Sequence, residues 1–287
     1  MDIFSNKPLI IDGGMGTMLQ SEGLPAGASP DAWNIERPDV VERIHRAYID
    51  AGARLITSNT FGSNAPRQKR GKYPIPDLVA AGVRIALRAA QHAPEQCLVA
   101  LDIGPLGVLL EPMGELTEEE AAGYFAETIR AGVAEGPDCI LIETMCDLTE
   151  ALAAVAAAKA YGNGLPVFCT LSFDARGRLM TGADVPGVVA ALIEAGVDAL
   201  GCNCGVGPEQ LVALLPQFTQ STTLPLLMSP NAGLPVFQDG KTCYDVAPAE
   251  FARHMRALFD GGVSGLGGCC GTTPAHIRAV AQACGRA

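Results

Sequence analysis

Short apolar runs and longer amphipathic stretches alternate along the whole chain. Eight runs recur: Leu9-Ile10-Ile11-Asp12, Leu55-Ile56-Thr57-Ser58, Leu98-Val99-Ala100-Leu101, Cys139-Ile140-Leu141-Ile142, Val167-Phe168-Cys169-Thr170, Ala199-Leu200-Gly201-Cys202, Leu226-Leu227-Met228-Ser229 and Ser264-Gly265-Leu266-Gly267. Each breaks off into polar or glycine-rich residues and reads as a strand. The stretches between them carry helix signals. Pro38 suits the first turn of a helix that runs on through Val40, Val41 and Ile44. Thr117 followed by Glu120 is a capping box, and residues 151–160 are almost all good helix formers. Near-continuous apolar strands alternating with helices belong to a parallel sheet with helices packed over it. Eight such units in 287 residues predict an α/β fold, a (β/α)8 TIM barrel that forms a single domain over residues 1–287. An open doubly wound sheet is the alternative. No stretch rich in Pro, Ser or charge divides the chain.

In such a barrel the active site lies where the strands end. Polar residues collect at those ends: Asp12, Asn59, Thr60, Asp102, Glu143, Ser172, Asn203, Cys204, Asn231, Cys269 and Cys270. Asp and Asn are also common there as helix caps, and for Asp102, Asn203 and Ser172 that reading stands equally. Asp12 and Glu143 point further. Two carboxylates at a barrel mouth take an ammonium group, and the N–H groups of Gly13 and Gly14 take a carboxylate, so together they suit a zwitterion. A carboxylate that merely caps the next helix is the competing reading for each.

The composition narrows the partners. Net charge is −11 and no Lys/Arg block occurs, which argues against nucleic acid, since that binding rests on clustered basic residues. Leu9-Ile10-Ile11 is too short for a signal-peptide core or a membrane span. Ten cysteines without a secretory signal point to a reducing, cytoplasmic setting, where thiols bind metal or fill cores. The run Asp12-Gly13-Gly14-Met15-Gly16 lacks the Lys and Ser/Thr of a phosphate loop.

Near the C-terminus two adjacent cysteines sit among glycines, in Gly267-Gly268-Cys269-Cys270-Gly271. Neighbouring side chains of a strand point to opposite faces, so both thiols reach one point only where the strand ends or bends. A third thiol from Gly201-Cys202-Asn203-Cys204-Gly205 would complete a three-sulfur site. Zinc suits such a site, with a fourth position open to a substrate; a pair of buried core cysteines is the plainer reading. Cys97, Cys139, Cys169 and Cys202 read as strand and core residues, and Cys146 lies close to a strand end. His45, His92, His254 and His276 fall in or beside helices, where outer-face positions are expected, so the protein ligands would be sulfur alone.

The motifs Asp12-Gly13-Gly14-Met15-Gly16-Thr17, Ser58-Asn59-Thr60-Phe61-Gly62, Glu143-Thr144, Gly201-Cys202-Asn203-Cys204-Gly205, Asn231-Ala232-Gly233-Leu234-Pro235 and Gly268-Cys269-Cys270-Gly271-Thr272-Thr273-Pro274 resemble the homocysteine S-methyltransferase family over nearly the whole chain. The resemblance implies a (β/α)8 barrel with Zn2+ on three cysteines, here Cys204, Cys269 and Cys270. It implies homocysteine contacts from Asp12, the Gly13 backbone and Glu143, with Thr60 and Asn231 as further contacts. Residues 31–39 and the segments 231–235 and 271–277 lean toward the homocysteine-binding module of cobalamin-dependent methionine synthases. The sequence ends at Ala287 without a folate or cobalamin domain. The implied methyl donor then comes from elsewhere: methylcobalamin on a separate corrinoid protein, or a free sulfonium such as S-methylmethionine or S-adenosylmethionine. The implied chemistry is in-line attack of the homocysteine sulfur, deprotonated at zinc, on the methyl group, giving methionine without a general base at the methyl. A non-catalytic reading stays beside it, a zinc and thiol-binding component of a corrinoid demethylation system. Three cysteines with no histidine nearby leave an open metal position, which favours catalysis.

Overall fold

The computed structural model of the protein describes residues 3–4, 8–25, 27–69, 71–238 and 241–286. All eight expected strands form: β1 (Leu9–Ile10), β2 (Leu55–Thr57), β3 (Leu98–Ile103), β4 (Cys139–Met145), β5 (Val167–Leu171), β6 (Ala199–Asn203), β7 (Leu226–Ser229) and, after a hairpin of β8 (Val236–Gln238) and β9 (Lys241–Cys243), β10 (Gly265–Leu266). The eight barrel strands are parallel and hydrogen-bonded in the order β1-β10-β7-β6-β5-β4-β3-β2, with a helix packed after each. Closure between β1 and β2 is brief. Ile11 bridges Leu55, the Arg54 N–H donates to the Ile10 carbonyl (2.8 Å), and the Asp12 N–H donates to the Leu55 carbonyl (3.0 Å). Where the backbone ladder runs out, the Asp12 carboxylate continues it by accepting from the Thr57 N–H (2.9 Å).

Alternation along each strand divides its residues between two cores. Ile10, Ile56, Val99, Leu101, Ile140, Ile142, Leu200 and Met228 pack outward in one cluster with the helices. Leu9, Ile11, Leu55, Ala100, Leu141, Phe168, Ala199 and Leu227 fill the barrel. Each fully buried large apolar side chain contributes roughly 1.5–3 kcal/mol. Further along the inward-facing set, chemistry changes: Thr57, Asp102, Glu143, Thr170 and Ser229 follow one step on, and Asn203 two steps on after Gly201, at the C-terminal ends. The strands therefore end in a polar layer stacked on an apolar one.

The helices start where the sequence signals them. Thr117 accepts from the Glu120 N–H (3.2 Å), and Glu120 accepts in return from the Thr117 N–H (3.0 Å), opening the helix Glu118–Val133. Asp147 caps Leu148–Tyr161 through the Thr149 and Glu150 N–H groups. Cys139, Cys169 and Cys202 are buried in the strands as expected, while Cys97 is half-buried one residue before β3. Two histidines are not outer-face residues. His45 is fully buried in the helix layer, with no hydrogen-bond partner on either ring nitrogen among the described residues, and burial pushes it down to about 4. His276 is buried too. Its Nδ1 accepts from the Thr273 N–H (3.2 Å), which leaves Nε2 to donate to the Val246 carbonyl (2.9 Å). The apolar side of an amphipathic helix faces inward whatever residue falls on it, and these two fall there. Among the described residues no helix is long and apolar enough to cross a membrane.

The sixth strand shows how closely the strand ends are held. A methyl group on Gly201 would run into the Leu227 carbonyl of β7. Gly201→Ala must push β6 away from β7 just before Asn203 and Cys204. We expect a loss of about 3 kcal/mol or more in urea denaturation, at the upper end of overpacking costs. An unchanged unfolding midpoint would show that this close strand approach does not hold the end of β6 in place.

Candidate active site

Three thiols meet at the C-terminal mouth. The Sγ atoms of Cys204, Cys269 and Cys270 lie within 4.8 Å of one another, all half-buried, and could hold a metal ion. Cys204 leaves the end of β6 with φ 57°, followed by Gly205 at φ 65°. A left-handed Cys is costly and persists where surrounding contacts enforce it; here the Cys204 N–H donates to the Ser229 carbonyl (3.1 Å). The Cys269 N–H donates to the Pro230 carbonyl (2.9 Å) and the Cys270 N–H to Asn231 Oδ1 (3.1 Å). Gly271, at φ 80°, turns the chain away under the ring of Tyr244, where a Cβ would collide. The adjacent cysteines thus lie past the strand end, as their sequence requires.

Asn203 ties the thiols to the carboxylates. Its Oδ1 accepts from the Thr144 N–H (2.7 Å) and Thr170 Oγ1 (2.8 Å). Its Nδ2 reaches Thr144 Oγ1 (2.7 Å), Glu143 Oε2 (3.2 Å) and Cys269 Sγ (3.9 Å). Thr144 is itself left-handed, at φ 60°, where the β4–β5 register shifts. Sequence reasoning left Asn203 evenly placed between a cap and a site residue. Its position between two cysteines at a strand end was the available signal.

A cavity of about 340 Å3 opens beside the thiols, lined by Asp12, Gly13, Asp102, Glu143, Cys204, Cys269 and Cys270 among others. Gly13 has no room for a side chain: a Cβ would stand 2.6 Å from Thr272 Oγ1 and 2.9 Å from the Tyr48 ring. The Gly14 N–H is already given to Thr272 Oγ1 (3.0 Å), whereas the Gly13 N–H has no partner among the described residues. Thr60 and Asn231 stand behind the cavity wall. Thr60 Oγ1 donates to the Asp102 carbonyl (2.7 Å), and Asn231 holds the Cys270 N–H. The structure therefore brings Asp12, Gly13, Glu143 and the three cysteines to one cavity, and sets Thr60 and Asn231 one layer back. Cys146 is half-buried and lines a neighbouring hollow instead.

Fold and site together define a (β/α)8 barrel that presents a thiol trio and buried carboxyl groups in one cavity at its strand ends. The sequence profile of the homocysteine S-methyltransferase family matches residues 9–284, and the chain belongs to that family. It is 34% identical over 301 residues to a methionine synthase of Mycobacterium tuberculosis and 33% identical over 304 residues to one of Mycobacterium leprae. The alignments take in 99% and 100% of this chain, which spans about 25% of the length of either relative. Among solved structures, the homocysteine methyltransferase MmuM of Escherichia coli superposes with a TM-score of 0.82 in its metallated form, at 24% identity and 96% coverage of both chains. Its oxidized form gives 0.81, at 25% identity, covering 98% of this chain and 97% of that one. The MmuM likeness establishes the barrel fold.

The electrostatics follow from burial. Hydrogen bonds from Cys269 and then Cys270 pull the Cys204 thiol well below its ordinary range. The carboxyl groups go the other way. Desolvation raises Asp12 to about 7 against the hydrogen bonds from Thr57, and raises Glu143 to about 8, with the nearby Asp12 and Cys204 charges adding to it. For a carboxyl group raised on folding, stability is fully present below the unfolded value and is lost as pH rises through the folded one. Glu143, raised from 4.5 to about 8, should therefore remove about 2 kcal/mol of stability between pH 6.5 and 8 in the absence of substrate. Glu143→Gln removes that slope, so the variant should gain on the unaltered protein as pH rises. Urea denaturation of both at the two pH values checks this; a constant difference would show that Glu143 is already ionised at pH 6.5.

Proposed function

We propose that this protein transfers a methyl group to the thiol of homocysteine to give methionine. In this reading Zn2+ is held by Cys204, Cys269 and Cys270, and Asp12, Gly13 and Glu143 bind the amino-acid end. The observation that carries it is the shared cavity, which joins three thiols that could hold a metal to the carboxyl groups of Asp12 and Glu143. The donor set fits zinc. Tetrahedral bonding at about 2.3 Å spaces sulfurs by about 3.8 Å, and sulfurs within 4.8 Å of one another need only a small closure. Three protein ligands leave a fourth position, as in catalytic rather than structural zinc sites.

Zinc, when bound, supplies a Lewis acid that favours a substrate thiolate over the thiol. The chain's own residues do the placing. Asp12 and Glu143 accept from the ammonium group, and Gly13 gives its N–H to the carboxylate, which directs the sulfur toward the trio. A lone pair on that sulfur forms the new S–C bond while the donor's bond to the methyl carbon breaks, its electron pair leaving with the donor. No side chain has to move a proton at the methyl carbon, and no histidine lines the cavity among the described residues. Thr60 and Asn231 act as positioning residues in this scheme, one behind Asp102 and one behind Cys270. Free thiols of this kind are suited to the reducing cytoplasm.

For the donor we propose a methylcorrinoid carried by a partner protein. Two observations support it. The first is the identity with methionine synthases across the whole chain. The second is the rim: Val108, Leu109, Met113, Met180, Leu234 and Val236, six of the eight exposed large hydrophobic residues among those described, lie on connections that leave the C-terminal ends of β3, β5 and β7. Apolar exposure gathered on one face suits a macromolecular contact. A second reading takes a free sulfonium such as S-methylmethionine or S-adenosylmethionine as the donor; MmuM, which shares the barrel, is a homocysteine methyltransferase whose chain this fold covers to 96%.

Methionine formation from homocysteine decides between them. With methylcobalamin, or a methylated corrinoid protein, turnover is expected and should fall by at least about a hundredfold in Cys269→Ala, on the scale of losing a catalytic metal ligand. Turnover with S-methylmethionine and none with any methylcorrinoid would establish the sulfonium reading. Bound zinc with no turnover on either donor would favour the non-catalytic one.

A further inference from the structure

One carboxyl group in the cavity wall has no partner. Asp102 continues the inward-facing positions of β3 after Leu98 and Ala100 and is 4% exposed. Its backbone is held firmly: the N–H donates to Ser58 Oγ (3.1 Å), and the carbonyl accepts from Thr60 Oγ1 (2.7 Å). Its carboxyl group is not. Oδ1 is enclosed and has no hydrogen-bond partner among the described residues. The other carboxyl groups of the wall are all satisfied. Asp12 accepts from Thr57, Glu143 from Asn203, and Asp31 from the Gly62 N–H and Ser63 Oγ.

A buried polar atom without a partner is costly, and the residue that carries it lines the cavity. The wall presents four carboxyl groups against one cationic side chain, Arg67. Arg67 is itself engaged, its Nε donating to the Pro105 carbonyl (2.6 Å) and its guanidinium standing 5.3 Å from the centre of the Phe61 ring. Such a wall selects a cation, and an organic primary ammonium brings three N–H donors. Resting on the reading of the substrate given above, we propose that Asp102 is a specificity-determining residue that accepts from the substrate's ammonium group, so that Asp12, Glu143 and Asp102 take one N–H each and the site admits only a primary amine. In the free protein burial, and after it the Glu143 and Asp12 charges, push the Asp102 carboxyl well up, and a bound ammonium offsets that penalty.

Titration calorimetry on the zinc-loaded protein tests this with four thiols: L-homocysteine, N-methyl-L-homocysteine, 4-mercaptobutanoate, which lacks the amine, and cysteamine, which lacks the carboxylate. Asp102→Asn and Asp102→Ala should each weaken homocysteine binding at least about tenfold, retain zinc, and bind 4-mercaptobutanoate as the unaltered protein does. They should also narrow the preference for homocysteine over its N-methyl form. Without ligand at pH 8, Asp102→Asn should melt at a higher temperature than the unaltered protein. Equal losses for the amine and the deamino ligand, or no loss of homocysteine affinity, would overturn the inference and leave the homocysteine reading in place. Binding of cysteamine but not homocysteine, with the same dependence on Asp102, would do the reverse. An unaltered protein that binds no amino thiol would end both.

Discussion

The barrel closes through a brief backbone seam that a side chain extends, and the active site depends on that closure. β1 is two residues long, Ile11 and the Asp12 N–H add a short backbone seam to Leu55, and past it the Asp12 carboxylate takes the place of a carbonyl opposite the Thr57 N–H. The Asp12 backbone carbonyl accepts from the Gly268 N–H (2.9 Å), which fixes the turn carrying Cys269 and Cys270. One residue therefore joins β2, β1 and the thiol-bearing loop, while the same carboxyl group lines the cavity. Burial raises its protonation range because closing a barrel leaves that position little water, and an ammonium ligand offsets the same penalty.

The strain in the molecule is gathered in the layer above the apolar core. Thr144 and Cys204 are two of the three left-handed residues other than glycine among the described residues, and Asn203 binds one and adjoins the other. Buried carboxyl groups and the three thiols lie within the same few strand ends. Below them the barrel is filled by Leu, Ile, Ala and Phe with ordinary packing. A stable floor of this kind can carry a mouth that is costly in isolation, the usual partition between scaffold and site.

Much of this was legible in the sequence. Each of the eight apolar runs became a barrel strand because a strand buried on both faces cannot be anything but apolar. Thr117 and Glu120 announced their helix because a capping box is local. Cys269 and Cys270 announced a strand end because adjacent side chains cannot converge within a strand. What stayed hidden depends on contacts between distant segments. Thr60 and Asn231 sit at strand ends like Asp12, yet they turn behind the wall, one to Asp102 and the other to Cys270. The Gly14 N–H looked available until Thr272, 258 residues away, accepted from it. His45 and His276 read as surface residues because the inward side of a helix is set by its neighbours. The β8–β9 hairpin was legible too: Asp239-Gly240 separates its two short strands, and Asp-Gly is a strong hairpin pair, yet the segment reads as plain loop when only the eight apolar runs are followed.

The central claim is that the thiol trio and the carboxyl-lined cavity are two halves of one site, built to bring an amino thiol's sulfur to a metal. X-ray absorption at the zinc edge tests it most directly. Three sulfur neighbours are expected for the protein alone and a fourth on adding homocysteine, with the fourth absent on adding homoserine, the hydroxyl analogue. A shell that is unchanged by saturating homocysteine would contradict the account, since the cavity and the metal site would then serve different ligands.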